Sequence, residues 1–422
     1  MIILLLLAAA GAAAQTTPAD REQMLLGRIE KLEQRLAALE AKATENPTGT
    51  AEAAKPNASQ FAPNVADTRP EILPAGTTIN VNLDGYYAYN FNRPFPAMNS
   101  LRAYDVSSNS FALNQAGIIL ERAPDLASGR RIGGRLDLMF GQATETLQAS
   151  PANERRPEVF RHIFQAYGTY VAPLGKGLTV DFGKWASSFG IENNYTKDQW
   201  NYSRSFWFGF LPYYHMGIRA TYPVTGKWNA SYWVTNGLNQ TEDFNAFKSQ
   251  AVLLNFNPSA KLSANLNYFA GQEERTVNGQ TPNGRSHILD SYITWHPGDR
   301  WTLALEGDYF ISRATGSSAP RRVAGGAAYA GYQFHPRLHL NGRFEFLDDS
   351  GGLFSGTAQS LKEATATATF DVAAGFQMRW EVRRDWSNIA FFPVRNDAGR
   401  ARDQTTALLG LIWWFGGKPG AW

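Results

Sequence analysis

The stretch Gln404-Thr-Thr-Ala-Leu-Leu-Gly-Leu-Ile-Trp-Trp-Phe415 puts Ala407, Leu409, Leu411, Trp413 and Phe415 on one face at period two. Successive side chains of a strand point to opposite faces, so this face is apolar throughout and ends in aromatics. A strand whose outer surface meets lipid, and whose end reaches the headgroup level, has this pattern.

The pattern recurs from Thr77 to the C-terminus. Ile79, Val81, Leu83, Tyr87, Tyr89 and Phe91 alternate with Asn80, Asn82, Asp84 and Asn90. Leu262, Ala264, Leu266 and Tyr268 alternate with Ser263, Asn265 and Asn267. Trp301, Leu303, Leu305 and Tyr309 alternate with Thr302, Glu306 and Asp308, and Leu338, Leu340, Phe344 and Phe346 with His339, Asn341, Arg343 and Glu345. Soluble sandwiches also alternate, but their strands average ~5–6 residues. Several runs here reach ~10 or more, the length a tilted transmembrane strand needs. The spacing predicts an all-β transmembrane antiparallel β-barrel of about 16 strands, with an aqueous lumen. Short connections at 222–228, 257–261 and 335–337 read as turns of one end. Polar stretches at 272–286 and 386–402 read as loops of the other.

Composition agrees. Aromatics make up 13% of the 422 residues, with 12 Trp, 17 Tyr and 26 Phe, as interfacial girdles require. The formal charge of +3 gives no basis for a nucleic-acid partner. With no Cys, disulfides, thiolate metal sites and thiol catalysis are excluded.

The chain divides into four parts. Residues 1–14 (MIILLLLAAAGAAA) read as a signal peptide with an A-x-A cleavage site before Gln15. The basic residues that usually precede such a run are missing, as they would be if the true start lay further upstream. Residues 15–45 hold a helix in which Leu25, Ile29, Leu32, Leu36 and Leu39 alternate in steps of four and three, the seam of a coiled coil. So short a helix needs association to hold it, which points to an oligomeric coiled coil in the periplasm. A solvated amphipathic helix packed on something else fits the same spacing. Residues 46–76 are a Pro-, Ala- and Thr-rich linker. Residues 77–422 form the barrel, in contact with outer-membrane lipid.

The alternation breaks at 187–215, SSFGIENNYTKDQWNYSRSFWFGFLPYYH. A connection this rich in rings is poorly placed in bulk water. Folded back into the barrel, it would bring Glu192, Lys197, Asp198 and Arg204 to the tightest part of the lumen and set the field solutes cross. Trp200, Tyr202, Phe206, Trp207, Tyr213 and Tyr214 would then offer stacking faces along the path. Packing of the loop on itself or on a neighbouring subunit explains the same residues.

The same region carries a family resemblance. Phe182-Gly-Lys-Trp185, Trp200-Asn-Tyr-Ser-Arg-Ser-Phe206, Phe208-Gly209, Pro212-Tyr-Tyr-His-Met-Gly-Ile-Arg-Ala-Thr-Tyr-Pro223 and Val234-Thr-Asn-Gly-Leu-Asn239 resemble the signature of the OmpL-like β-barrel porins. The short coiled coil ahead of a barrel resembles porins of the DcaP and phosphate-selective types, which are trimers. The resemblance implies an outer-membrane porin passing small hydrophilic solutes or ions, with no cofactor and no catalytic residue. The assembly signal of such barrels is usually a terminal aromatic; here Gly416-Gly-Lys-Pro-Gly-Ala-Trp422 follows Phe415, so either Trp422 serves or the strand ends earlier with a small tail.

Strand parity turns Arg131, Arg135, Asp137, Arg219, Lys261, Glu306, Asp308, Arg343, Glu345, Arg379, Glu381 and Arg383 inward. The small basic excess suggests weak anion preference. Pairing of these charges across neighbouring strands is the competing reading. A one-residue slip would reverse any strand's contribution. The six His residues make no ligand spacing, and no metal is expected. Asp348-Asp349-Ser-Gly-Gly reads as a solvated turn, with a bound loop cation as the alternative. Ser203 and His215 lack the supporting motif of a hydrolase. Two rivals remain: an anchoring or adhesive barrel with a plugged pore, and a soluble carbohydrate-binding β protein.

Overall fold

The computed structural model describes residues 73–148, 154–274, 282–395 and 399–418, with Gln34 and Ala421. The signal peptide, the heptad Leu25–Leu39 and most of the linker lie outside the described residues.

Sixteen strands close into one antiparallel barrel. They are β1 (Thr78–Asn90), β2 (Ser110–Arg122), β3 (Ile132–Phe140), β4 (Ile163–Ala172), β5 (Leu178–Ala186), β6 (Tyr214–Pro223), β7 (Trp228–Thr235), β8 (Ser249–Ser259), β9 (Leu262–Gly271), β10 (Ser286–Trp295), β11 (Trp301–Ser312), β12 (Arg321–His335), β13 (Leu338–Asp349), β14 (Gln359–Ala373), β15 (Phe376–Ser387) and β18 (Asp403–Gly416). A small hairpin, β16 (Phe392–Val394) and β17 (Gly399–Ala401), stands apart from the wall. Each wall strand pairs with its sequence neighbour, and β18 closes the ring onto β1, Leu83 opposite Trp413 and Tyr89 opposite Ala407. Closure leaves no open edge, the condition for spanning hydrocarbon with strands.

The connections sort into two ends. Turns as short as 260–261, 336–337 and 374–375 sit with Thr78 and Gly416 at one end. The other end carries the long connections, including α1 (Ala143–Gln148) and α2 (Pro157–Phe160) between β3 and β4.

Period two holds around the wall. Leu113, Phe182, Leu305 and Val382 point out and are more than half exposed in the isolated chain. A sheet face this apolar is stable only against lipid. Outward aromatics form pairs near the turn end, Trp228 on Phe256, Trp301 on Tyr332, and Phe376 on Trp413 with centroids 4.8 Å apart. Tyr87 on Phe111 and Tyr89 on Phe91 mark the loop end. These are the two girdles of a membrane barrel.

The interior is less uniform than the sequence pattern implies. Toward the long-loop end, inward positions are apolar: Trp233, Leu253, Phe269, Ile288, Val323, Leu347 and Leu361 join one buried cluster. Toward the turn end they are polar, among them Ser231, Asn255, Asn265, Thr302 and Asn341. Two charges assigned inward are corrected. Lys261 is exposed in the β8–β9 turn, because β8 continues to Ser259 and leaves two residues to reverse the chain. Arg131 is exposed just before β3, where its guanidinium donates to the Val171 carbonyl at the turn-end rim. Asp349 is not a solvated turn residue either. It is buried, and its carboxylate accepts N–H bonds from Leu353, Phe354 and Ser355, which shapes the β13–β14 loop.

Candidate functional site: the lumen and the segment that crosses it

The connection between β5 and β6, residues 187–213, lies inside the barrel. Its irregular backbone needs hydrogen-bond partners that a dry interior does not supply by default. The wall supplies them, largely as carboxylates. Glu381 on β15 accepts from the Tyr202 N–H at 2.6 Å and the Ser203 N–H at 3.0 Å. Glu345 on β13 accepts from the Phe206 and Trp207 N–H groups, each at 2.7 Å, at the start of α3 (Phe206–Phe210). Ser205 caps the same turn through its hydroxyl, 2.9 Å from the Phe208 nitrogen. An acidic side chain and a Ser cap at a helix start are mutually reinforcing. On the adjoining wall, past β18, Asp84 of β1 accepts a hydrogen bond from the Tyr202 hydroxyl and Asp137 of β3 one from Tyr195. Gln115 of β2 donates to the Asn194 carbonyl and accepts from the Thr196 N–H. On the third side, Asp290 of β10 accepts from Gly190 N–H and Glu306 of β11 from Ile191 N–H. The segment is thus tied to walls on three sides of the lumen.

Apolar side chains narrow the loop-end half. Phe189, Phe206, Trp207 and Leu211 enter the apolar cluster supplied by β7 to β14. Tyr202 sits in a recess made by Gly410, where a Cβ would approach its ring to 2.3 Å.

The charges proposed for the constriction are mostly consumed in building it. Glu192 accepts from Ser205 N–H and pairs with Arg343 at 2.6 Å, and Arg343 also pairs with Glu363 at 2.6 Å. Arg383 pairs with Asp385 at 2.6 Å and donates to the Arg204 carbonyl. Arg204 is buried, with its guanidinium bonded to the carbonyls of Asn193, Tyr202 and Asn194 and stacked 4.7 Å from the Tyr104 ring. Arg135 pairs with Asp137 at 2.8 Å, and Arg219 with Asp181 at 2.7 Å. Arg343–Glu363 and Arg219–Asp181 cross between neighbouring strands, while Arg135–Asp137 and Arg383–Asp385 lie two residues apart on one strand.

Four residues of the set stay together around open space. Lys197, Asp198, Trp200 and Arg379 line a cavity of about 360 Å³ on the turn-end side, with His296, Asp299, Arg300, His339 and Asn341. Lys197 and Asp198 pair at 2.6 Å, and Trp200 stands edge-on to Tyr329. Arg379 donates to the Asn201 and Lys197 carbonyls, with no carboxylate partner among the described salt bridges.

The aromatic path is not continuous. Tyr202, Phe206 and Trp207 have no exposed surface, so they hold the segment in place and offer no stacking face. Tyr213 is buried, its hydroxyl on the Gly209 carbonyl. Tyr214 shares parity with the outward Ile218, bonds to Glu154 at 2.6 Å and carries Lys184 3.9 Å over its ring. Ser203 and His215 do not meet. The Ser203 hydroxyl accepts from Arg343 and Arg383, and His215 bonds to Ser187.

Sequence reading missed Asp84, Gln115, Asp290 and Arg102. Asp84 and Asp290 follow the alternation of their strands, whereas Gln115 shares parity with the outward Phe111 and Leu113 and turns inward only because β2 bulges beside Asp84 and Gly85. Arg102 sits in the β1–β2 loop without periodicity, yet it is buried and pairs with Asp105 and Asp385.

Comparison with known proteins agrees with this architecture. Residues 76–415 match the family described as "Putative beta-barrel porin-2, OmpL-like". No curated protein matches the sequence. Among solved structures, the barrel is similar to an anion-selective porin from Comamonas acidovorans (TM-score 0.53, 11% identity, covering 80% of this chain and 99% of that one). It is also similar to the outer membrane channel DcaP of Acinetobacter baumannii (0.53, 10%, 81% and 99%) and to OmpT of Vibrio cholerae (0.52, 8%, 82% and 99%). At these identities the likeness is one of fold.

Proposed function

The chain belongs to the OmpL-like β-barrel porin family, and from that premise we propose that it is an outer-membrane channel for passive diffusion of small hydrophilic solutes or ions, narrowed by residues 187–213. The observation that carries this reading is the ring of wall carboxylates holding the segment's backbone across the lumen while a polar cavity stays open beneath it. Passage is confined to what the segment leaves. The cationic groups at that cavity, Arg379 and Arg300 with Lys197, outnumber Asp198 and Asp299, which favours anions weakly. The paired arginines Arg343, Arg383, Arg135 and Arg219 add little to the field, because each meets a carboxylate.

The assembly belongs to the same proposal. The heptad Leu25, Ile29, Leu32, Leu36 and Leu39 joins three chains, with the helix on the periplasmic side and the leader removed.

Single-channel recording in planar bilayers tests the channel. Wild-type protein gives discrete steps, and a variant with residues 192–204 replaced by a short Gly-Ser linker gives larger ones. Silent wild type with a conducting deletion would favour the second reading, a barrel plugged by its own segment. The completely buried rings Tyr202, Phe206 and Trp207 are the observation behind that reading. Equal conductance in the two proteins would remove the segment from the pathway.

A further inference from the structure

Three carboxylates on β10 and β11 stand apart from the ion pairs that hold Arg135, Arg219, Arg343 and Arg383. The register sets Asp290 directly opposite Asp308 on the inward face, with Glu306 two residues along the same strand. Like charges directly opposite one another destabilise a sheet unless something offsets them. Each of the three offers one oxygen such that these oxygens lie within 4.8 Å of one another, and all three residues are buried. Among the described salt bridges, no Lys, Arg or His meets any of them.

The hydrogen-bond inventory is uneven. Asp290 accepts from Gly190 N–H at 3.2 Å and from the Asn267 side-chain amide at 2.6 Å. Glu306 accepts from Ile191 N–H at 3.1 Å and from the Tyr329 hydroxyl at 3.0 Å. Asp308 is 5% exposed, and both its carboxylate oxygens lack a hydrogen-bond partner. A buried carboxylate in that condition costs several kcal/mol by the usual scale, and what offsets it is either a proton shared with the facing Asp290 or a cation.

We propose that Asp290, Glu306 and Asp308 bind a hard divalent cation, Ca²⁺, on the inner wall of the barrel. The donor set is all oxygen and carries enough negative charge for such an ion, and carboxylates from two strands suit the irregular geometry that Ca²⁺ accepts. Glu306 also lines a cavity of about 10 Å³ with Gly190 and Glu192, about the room of a single water beside the ion. The ion does more than neutralise. Asp290 and Glu306 hold the Gly190 and Ile191 N–H groups, so Ca²⁺ fixes the entry of the lumen segment against β10 and β11. Gly190 is suited to that place. Its φ of +82° is one that side chains rarely adopt, and a Cβ would come within 3.2 Å of Glu306 Oε1.

The site is tested on full-length protein refolded from inclusion bodies, free of lipopolysaccharide, and stripped with EDTA. Terbium is the first probe, because Tyr329 lies in hydrogen-bond contact with Glu306 and sensitises its emission. Sensitised emission that Ca²⁺ competes away, with calorimetry giving one Ca²⁺ per chain at a Kd below about 1 mM, is the expected result. Asp308→Asn, close in shape, weakens binding by about tenfold or more; should it fail to refold, Glu306→Gln serves the same comparison. Wild type that gives neither Ca²⁺-competed emission nor binding heat overturns the proposal. So does a substituted protein that folds and binds Ca²⁺ as wild type does. Neither readout depends on conductance, so the site and the channel fail separately.

Discussion

At the scale of single residues, the wall acts mainly by accepting hydrogen bonds. Glu381 takes two backbone N–H groups and the Thr367 hydroxyl at once, more than any neutral side chain in its place would satisfy. Bonds to a charged acceptor contribute about 1.5–3 kcal/mol each. Glu381→Gln is therefore expected to raise hydrogen exchange at Tyr202 and Ser203 by at least about tenfold while leaving the strand amides of β15 unchanged. Equal protection in the two proteins would contradict the anchoring role. A second residue, in the loop after β9, gives a pH response. Glu273 accepts from Leu238 N–H, the Gln240 side chain and the Ser249 hydroxyl, and burial pushes its carboxyl up to about 7. A carboxyl raised above its unfolded value adds stability that is fully present below about pH 4.5 and is lost as pH rises toward 7. Protection factors in residues 236–248, taken relative to the intrinsic exchange rate at each pH, are thus expected to be lower at pH 8 than at pH 5, and Glu273→Gln flattens the difference. Among residues, parity on the strands was legible from sequence, and the structure places Arg135, Asp137, Arg219, Arg343, Arg379 and Arg383 on the inner face. What parity does not show is a partner. Whether Arg343 faces water or Glu192 depends on where a segment some 150 positions away comes to rest.

At the scale of elements, the strands and the lumen segment obey different rules. A strand is fixed by its outer face, which the repeat displays directly. Leu305 sits mid-strand on that face, so Leu305→Arg is expected to cost about 2–4 kcal/mol in a refolding titration into lipid. The segment is fixed by fit. Gly410→Leu would fill the recess that holds the Tyr202 ring, and the expected result is a conductance shift with the barrel's thermal stability in detergent nearly unchanged. Identical channels from that variant would place the ring elsewhere. The element boundaries were the less legible part. β8 runs through Pro258 to Ser259, because an outermost residue of a strand tolerates a missing N–H, and this moved Lys261 out of the lumen. The apolar loop-end cluster was illegible for a different reason. Trp233, Phe269 and Leu347 occupy the face whose other positions are polar, and they become core only because Phe189 and Trp207 descend to meet them.

At the scale of the whole molecule, closure and filling are in tension. A ring of this many strands encloses more space than its own side chains can fill. The chain resolves this by filling the loop-end half with its longest connection and leaving the turn-end half polar and open. The barrel itself was legible because lipid imposes a strict two-residue period. The filling was only half legible, since a ring-rich connection announces that it will be buried without saying against what. The most direct test is a spin-label scan along β14 in lipid vesicles, using single Cys substitutions that the Cys-free chain makes unambiguous. The account predicts oxygen access at Ala364, Ala366 and Phe370, access of a water-soluble nickel complex at Thr369 and Asp371, and neither at Thr367, where Asn201 of the segment packs. Loss of the two-residue alternation, or free nickel access at Thr367, would contradict it.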